Sequence, residues 1–191
     1  MESIQRVFFH ELGHFVAHEL NYKYYGGNGV AEMVIHPCEE NINEYCGYCK
    51  PINNTNENKP APIERLAQFL AATIHGCLFQ AYFMEQPFEE CMCLGGNGEI
   101  DITQWSSILY IHRQNNQRFT SLEDAFFKKL VTQKALDGFK KLNISDYIKD
   151  TKNQIHTFDV FKLKEDTSAI LEEYSSLYKE LITLYNAEIR L

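Results

Sequence analysis

The stretch RVFFHELGHFVAHEL, Arg6 to Leu20, places His10 and His14 one helical turn apart, with Glu11 directly after the first. Imidazoles at i and i+4 of a helix stand on one face, close enough for both to bind a single cation. Tetrahedral zinc accepts histidine nitrogens at about 2.0 to 2.1 Å. A glutamate beside such ligands need not bind the ion itself. It stands where a general base must be to take a proton from water that zinc has acidified to a pKa of roughly 7. A chain of this length with 7 histidines shows His-Glu-x-x-His by chance about 0.025 times. The bland alternative, two surface histidines on a solvated stripe, is therefore the weaker reading.

On a helical projection Ile4, Phe8, Leu12, Phe15 and Val16 fall on the side away from the histidines. Gly13 and Ala17 flank the histidines and leave room for a neighbouring helix. A catalytic zinc takes three protein ligands and keeps a fourth position open, so that neighbour could bring the third. His18 shares the face but would have to reach backward, which suits a supporting or surface role. Glu19 falls among apolar residues, where it caps or pairs elsewhere. Glu32 follows His14 at a spacing a little shorter than in thermolysin-like enzymes but lies in a strand-like segment. Asp101 is the first acid of a helix entered through a glycine loop, where the helix dipole favours a carboxylate. From the residues alone it is equally an N-terminal helix cap.

These side chains need a scaffold, and the pattern is mostly helical. An amphipathic helix runs from Ser3 to about Asn21 and stops at Gly26 and Gly27. VAEMVIHP and EYCGYCKP read as two short strands of a hairpin around the polar loop CEENIN, and NNTNENKPAP as a solvated loop. Ile63 to Phe83 is a long apolar helix whose small residues, Ala67, Ala71, Ala72, Gly76 and Ala81, permit close packing. His75 on it is a hydrogen-bonded core histidine. The glycine-rich turn LGGNGEID leads into a helix ITQWSSILYIHRQ. Ser121 with Asp124 starts a helix over LEDAFFKKLVTQKALDGFKKL, and SAILEEYSSLYKELITLYNAEIRL forms the last one.

At 191 residues the chain holds one ordinary domain, or a domain with a helical appendage. Its net charge of -8 and pI near 5.4 argue against nucleic acid, which needs clustered Lys and Arg. No apolar run is long enough to span a membrane, and no secretion signal is evident, so a cytoplasmic location is expected. The 6 cysteines read as reduced thiols. Cys46 and Cys49 form a C-x-x-C with Cys38 near, which raises a second, structural metal as the less favoured alternative to packed thiols.

With these residues in place, the sequence resembles the peptidase domain of FtsH-type zinc metalloproteases. HELGH is similar to their His-Glu-Ala-Gly-His signature, with Leu12 for alanine and Gly13 matching. EMVIHP followed by CGYC resembles the family's strand pair. IERLAQFLAATIHGCLFQAYF resembles its long helix, and GGNGEIDITQW the loop and helix start that supply an aspartate ligand. The likeness runs in order from Ile4 to Gln114. It implies His10, His14 and Asp101 as zinc ligands and Glu11 as the base. Gln80 stands where the family has an acidic residue, and Glu99 is a competitor for the ligand role two residues from Asp101. The family's ATPase module and membrane anchors have no counterpart here.

The expected architecture is mainly α: a helical, zincin-like metallopeptidase domain with a small β-hairpin and additional C-terminal helices. Residues 1–118 form the FtsH-like core, with 119–191 a helical region packed on it as one compact domain. The expected activity is a stand-alone, ATP-independent zinc endopeptidase, with an edge strand near Ala31 to Pro37 aligning an extended peptide. The alternative is a catalytically inactive zinc-binding interaction module that docks a protein partner, or itself, through the C-terminal helices. A regulatory protease cutting one folded target at a flexible loop is a third, weaker reading.

Overall fold

The computed structural model describes residues 2–39, 44–52, 62–93 and 98–189. Of the loops expected at 38–43, 53–62 and 94–101, residues 40–43, 53–61 and 94–97 lie outside the described residues.

Helix α1 spans Glu2–Tyr25 and buries Phe8, Leu12, Phe15 and Val16 completely, the apolar side opposite the histidines. It ends where Gly26 takes a left-handed φ of 66° and the Gly27 amide donates to the Asn21 carbonyl at 3.0 Å. That bond reaches back six residues and folds the chain over the helix end, and glycine adopts the left-handed backbone this needs without strain. After one turn of 3-10 helix at Ile63–Arg65, helix α2, Leu66–Phe83, is buried on nearly every side. A helix so apolar all round belongs in the centre of a domain. It packs along α1 more extensively than any other pair of elements touches.

A short helix α3, Phe88–Cys91, and α4, Glu99–Ile111, follow. Helix α5 spans Asn116–Thr132, not Leu122–Leu142 as the sequence suggests. Asn115 caps it by accepting from the Gln117 amide at 3.0 Å, whereas Ser121 lies within it and donates back to the Gln117 carbonyl. Lys134 then takes a positive φ of 51° and the segment continues only as a 3-10 turn, Asp137–Lys141. The long helix α6 spans Val160–Ile189, starting eight residues earlier than expected.

The strands are β1, Val30–Pro37, β2, Tyr45–Pro51, β3, Ile148–Lys152, and β4, Ile155–Phe158. They form one antiparallel sheet in the order β2-β1-β4-β3. The hairpin β1–β2 was legible in the sequence; the second hairpin was not. Its strands IKDTK and IHTF carry little apolar alternation, and its turn uses Asn153 and Gln154 at φ 52° and 64° instead of the usual glycine. The consequence is a correction: β1 is an interior strand, flanked by β2 and β4, so the segment Ala31 to Pro37 does not offer the free edge expected of it.

The cysteines require a second correction. Hydrogen bonding of the Cys38 amide to the Glu44 carbonyl brings Cys38 within 5.2 Å of Cys46, Cα to Cα, and the two form a disulfide. That separation suits a disulfide. Two of the sulfurs invoked for a second metal are thereby used up, leaving Cys49 alone.

One apolar cluster runs through the helices and reaches the sheet. Helix α6 closes it over α1 and α2: Tyr178 donates to Asn21 at 2.8 Å, and Lys164 pairs with Glu19 at 3.0 Å. The boundary expected at 118/119 falls inside α5. No helix among the described residues is long and apolar enough to cross a membrane.

Candidate metal centre

The site lies where α1 crosses α2 with almost no side-chain padding. A Cβ on Gly13 would lie 2.1 Å from the His75 carbonyl oxygen, and one on Gly76 would lie 2.5 Å from His14 Nε2 and 2.6 Å from His10 Nε2. Gly13 lets the backbones touch, and Gly76 leaves the hollow that both imidazoles occupy. Glycine is the residue that permits such close approach.

Asp101 completes the group. Helix α4 begins at Glu99 with Gly98 as its N-cap, so Asp101 sits in the first turn and is not itself the cap. A Cβ on Gly98 would lie 2.2 Å from Cys77 Sγ, which shows how tightly the start of α4 seats on α2. The Asp101 Oδ2 then lies 2.8 Å from His10 Nε2 and 3.3 Å from His14 Nε2, and the two Nε2 atoms are 3.2 Å apart. Donor atoms held about 2.0 to 2.1 Å from one tetrahedral ion stand roughly 3.3 Å from each other. Two edges match that value, and the third is the length of a charge-assisted hydrogen bond. His10, His14 and Asp101 could together hold a metal ion.

The hydrogen bonds behind the imidazoles favour the same conclusion. His14 Nδ1 faces the Ala72 carbonyl at 2.9 Å, and His10 Nδ1 faces Gln80 Oε1 at 3.1 Å. A carbonyl only accepts, so Nδ1 donates in both rings, and each neutral ring turns the lone pair of its Nε2 inward. Once protons on Nε2 are released, two lone pairs and a carboxylate converge on one point, where they could hold a cation. Burial opposes charge on His14, yet the Asp101 carboxylate, by its charge and hydrogen bond, together with Glu11, raises it to about 9. Burial likewise works against ionised Asp101, but the two histidines hold it well below the ordinary carboxylate range. The three side chains are only 11 to 15% exposed, which keeps these interactions strong while leaving an opening.

Glu11 is 5% exposed and lies under β2, where Gly47 makes room for it: a Cβ there would lie 2.8 Å from the Glu11 Cγ and 2.9 Å from Oε1. Burial raises its pKa, while His14 and His10 oppose the rise. The opening is a cleft of about 630 Å³ walled by α1, β2, α2 and the start of α4. His10, Glu11, His14 and Asp101 all line it.

The other ligand candidates go elsewhere. Glu19 takes the Val30 amide at 2.6 Å and the Lys164 ammonium. Glu32 bonds the Tyr48 hydroxyl. Glu99 is exposed at the end of α4 and outside the group. His18 lines the cleft without joining the group, and burial, aided by His14, lowers it to about 4, leaving it neutral. His75 is a core histidine, as expected, bonded to the Ala71 carbonyl and the Tyr174 hydroxyl. Sequence reasoning missed the roles of Gly47 and Gly98. A glycine in mid-strand, as in CGYC, signals a place where another group comes close.

Compared with known protein families, with curated proteins and with solved structures, the chain finds no match.

Proposed function

We propose that the protein is a zinc-dependent peptidase of the zincin type, related to the FtsH-type peptidase domains it resembles. The observation that carries this reading is the pairing, on one turn of α1, of two inward-facing imidazoles with a buried carboxylate that is not needed as a ligand. His10, His14 and Asp101 would hold the zinc; softer thiolates are absent from the group, and two nitrogens with one oxygen suit this ion. When bound, zinc supplies Lewis acidity to a peptide carbonyl and to water.

The chain's own residues do the rest. Glu11, raised by burial and steadied by the imidazoles, takes a proton from water and returns it to the leaving amine. Strand β2 pairs with β1 on one side only, and its other edge is unpaired among the described residues. Cys46, Gly47, Tyr48 and Cys49 along it line the cleft, so an extended peptide would add to β2. This moves the substrate edge from β1, where the sequence put it, to its neighbour.

Replacing Glu11 by Gln should leave zinc bound and lower peptide hydrolysis at least about 100-fold. Unchanged turnover would mean that the base is misassigned.

A second reading, a zinc-binding docking module without turnover, draws on one observation. His10 leans on the neutral Gln80 amide, where a carboxylate would make it a stronger ligand. Bound zinc with no cleavage of unfolded proteins would favour it. The Cys38–Cys46 disulfide is the kind of bond oxidising compartments preserve, which weighs against the expected cytoplasmic location.

A further inference from the structure

The cleft floor on α1 is a line of four side chains one turn apart: Arg6, His10, His14 and His18. Three are accounted for above, and Arg6 is not. It is half-buried and lines the cleft, and it takes part in none of the ion pairs seen among the described residues. On its α3 side it acts on Cys91, whose thiol burial pushes up to about 11, so that group is no counter-ion. A cation held part-way out of water with no partner is unfavourable unless a ligand supplies the charge.

A second donor stands at the same end. Gln80, which meets His10 while Ala72 meets His14 at the other end, is 1% exposed, and its Nε2 has no acceptor among the described residues. Arg6 and Gln80 thus supply two donors at the His10 end of the cleft.

We propose that Arg6 is a specificity-determining residue that receives a carboxylate of the substrate peptide. The inference rests on the peptidase reading for its register. Arg6 lies about 9 Å along α1 from the midpoint of the two histidines, at about 1.5 Å per residue. An extended chain covers that in two or three residues. Strand β2 runs in the same direction as α1, since the Tyr45 amide meets the Ser3 hydroxyl and Gly47 meets Val7 and Glu11. A peptide added antiparallel to β2 therefore runs from the His18 end toward Arg6. The carboxylate falls two or three residues to the C-terminal side of the scissile bond, and it is either an acidic side chain or the peptide's own terminus.

The test measures binding, so it does not depend on turnover. Zinc-loaded protein carrying Glu11→Gln is titrated against fluorescent decapeptides of three kinds: both ends blocked with one Asp moved through every position, the same with Asn, and the Asn series with a free C-terminal carboxylate. One of the carboxylate series should bind about tenfold tighter than the blocked Asn series, the gain expected of a charge-assisted hydrogen bond. Which series gains tells an internal acid from a chain terminus. The gain should vanish with Arg6→Gln added, survive in part with Arg6→Lys, and pass to Lys-containing peptides with Arg6→Glu. Equal binding of acidic and neutral peptides, no binding at all, or an acid preference that persists in Arg6→Gln would overturn the proposal. So would a parent enzyme that cuts with the acid on the N-terminal side. If acidic peptides bind through Arg6 but the parent cuts none of them, the peptidase reading fails while this one stands.

Discussion

Gly13 of α1 and Gly76 of α2 face each other at the helix crossing, where a Cβ on the first would lie 3.0 Å from the Cα of the second. The two glycines do different jobs. One sets the helix separation, and the other empties the space in which the imidazoles meet.

Substitution should separate those jobs. Gly13→Ala drives a methyl into the α2 backbone, so the helices must part; overpacking of this kind costs about 1–3 kcal/mol and should appear as a lowered melting temperature. Gly76→Ala presses on His10 and His14 Nε2 and should weaken zinc at least about tenfold in a chelator competition, a displacement of ligands by tenths of an ångström being enough to spoil a site. If Gly76→Ala binds zinc as the parent does, the imidazoles do not lie where described.

Gln80 is the neutral partner behind His10 Nδ1. Gln80→Glu would place a carboxylate behind His10 Nδ1 and raise the basicity of the ring. Partners of this kind change metal affinity by about 10- to 100-fold. The variant should bind zinc more tightly, by about tenfold, in the same competition; weaker binding would show that the amide is the better partner here.

Asp101 owes its place to helices far along the chain. Trp105, one turn further along α4, donates to Glu123 Oε1 at 2.7 Å, and Tyr185 of α6 donates to the same oxygen at 2.6 Å. Burial raises Glu123 to about 8, against the two hydrogen bonds, which lower it. Its ordinary value is 4.5, so between roughly pH 4.5 and 8 the folded protein keeps a proton that the unfolded chain releases. This contribution is full below that window, declines as pH rises through it and is gone above about 8. Glu123→Gln should therefore gain on the parent as pH rises, by on the order of a few kcal/mol above pH 8. Denaturant melts at pH 5 and pH 9 measure the difference; a gap that does not widen with pH would contradict the buried proton.

The parts of the molecule that were legible in the sequence are those where local pattern and tertiary demand agree. Helix α1 shows its buried stripe, its glycine stop and its paired histidines within one stretch, and β1 and β2 are bounded by prolines at their ends. The start of α5 was misread because Ser121 and Asp124 imitate a cap, while the working cap is Asn115. The β3–β4 hairpin is polar, since most of its side chains face water, and that left β1 looking like an edge. The Cys38–Cys46 disulfide depends on strand register, which spacing alone does not give. Asp101 could be singled out as an acid in a helix's first turn, but its meeting with His10 and His14 depends on α4 seating at Gly98 and Cys77. That is a property of packing between distant segments, which residue periodicity does not give; the expectation of it came from a resemblance that no comparison supports.

The central claim is tested most directly by the metal content of the purified protein beside its His14→Ala and Asp101→Ala variants. One zinc per chain in the parent, lost from both variants while their helical content is kept, is the result expected. Stoichiometric zinc retained by Asp101→Ala would contradict the three-residue centre and move the third ligand to another side chain.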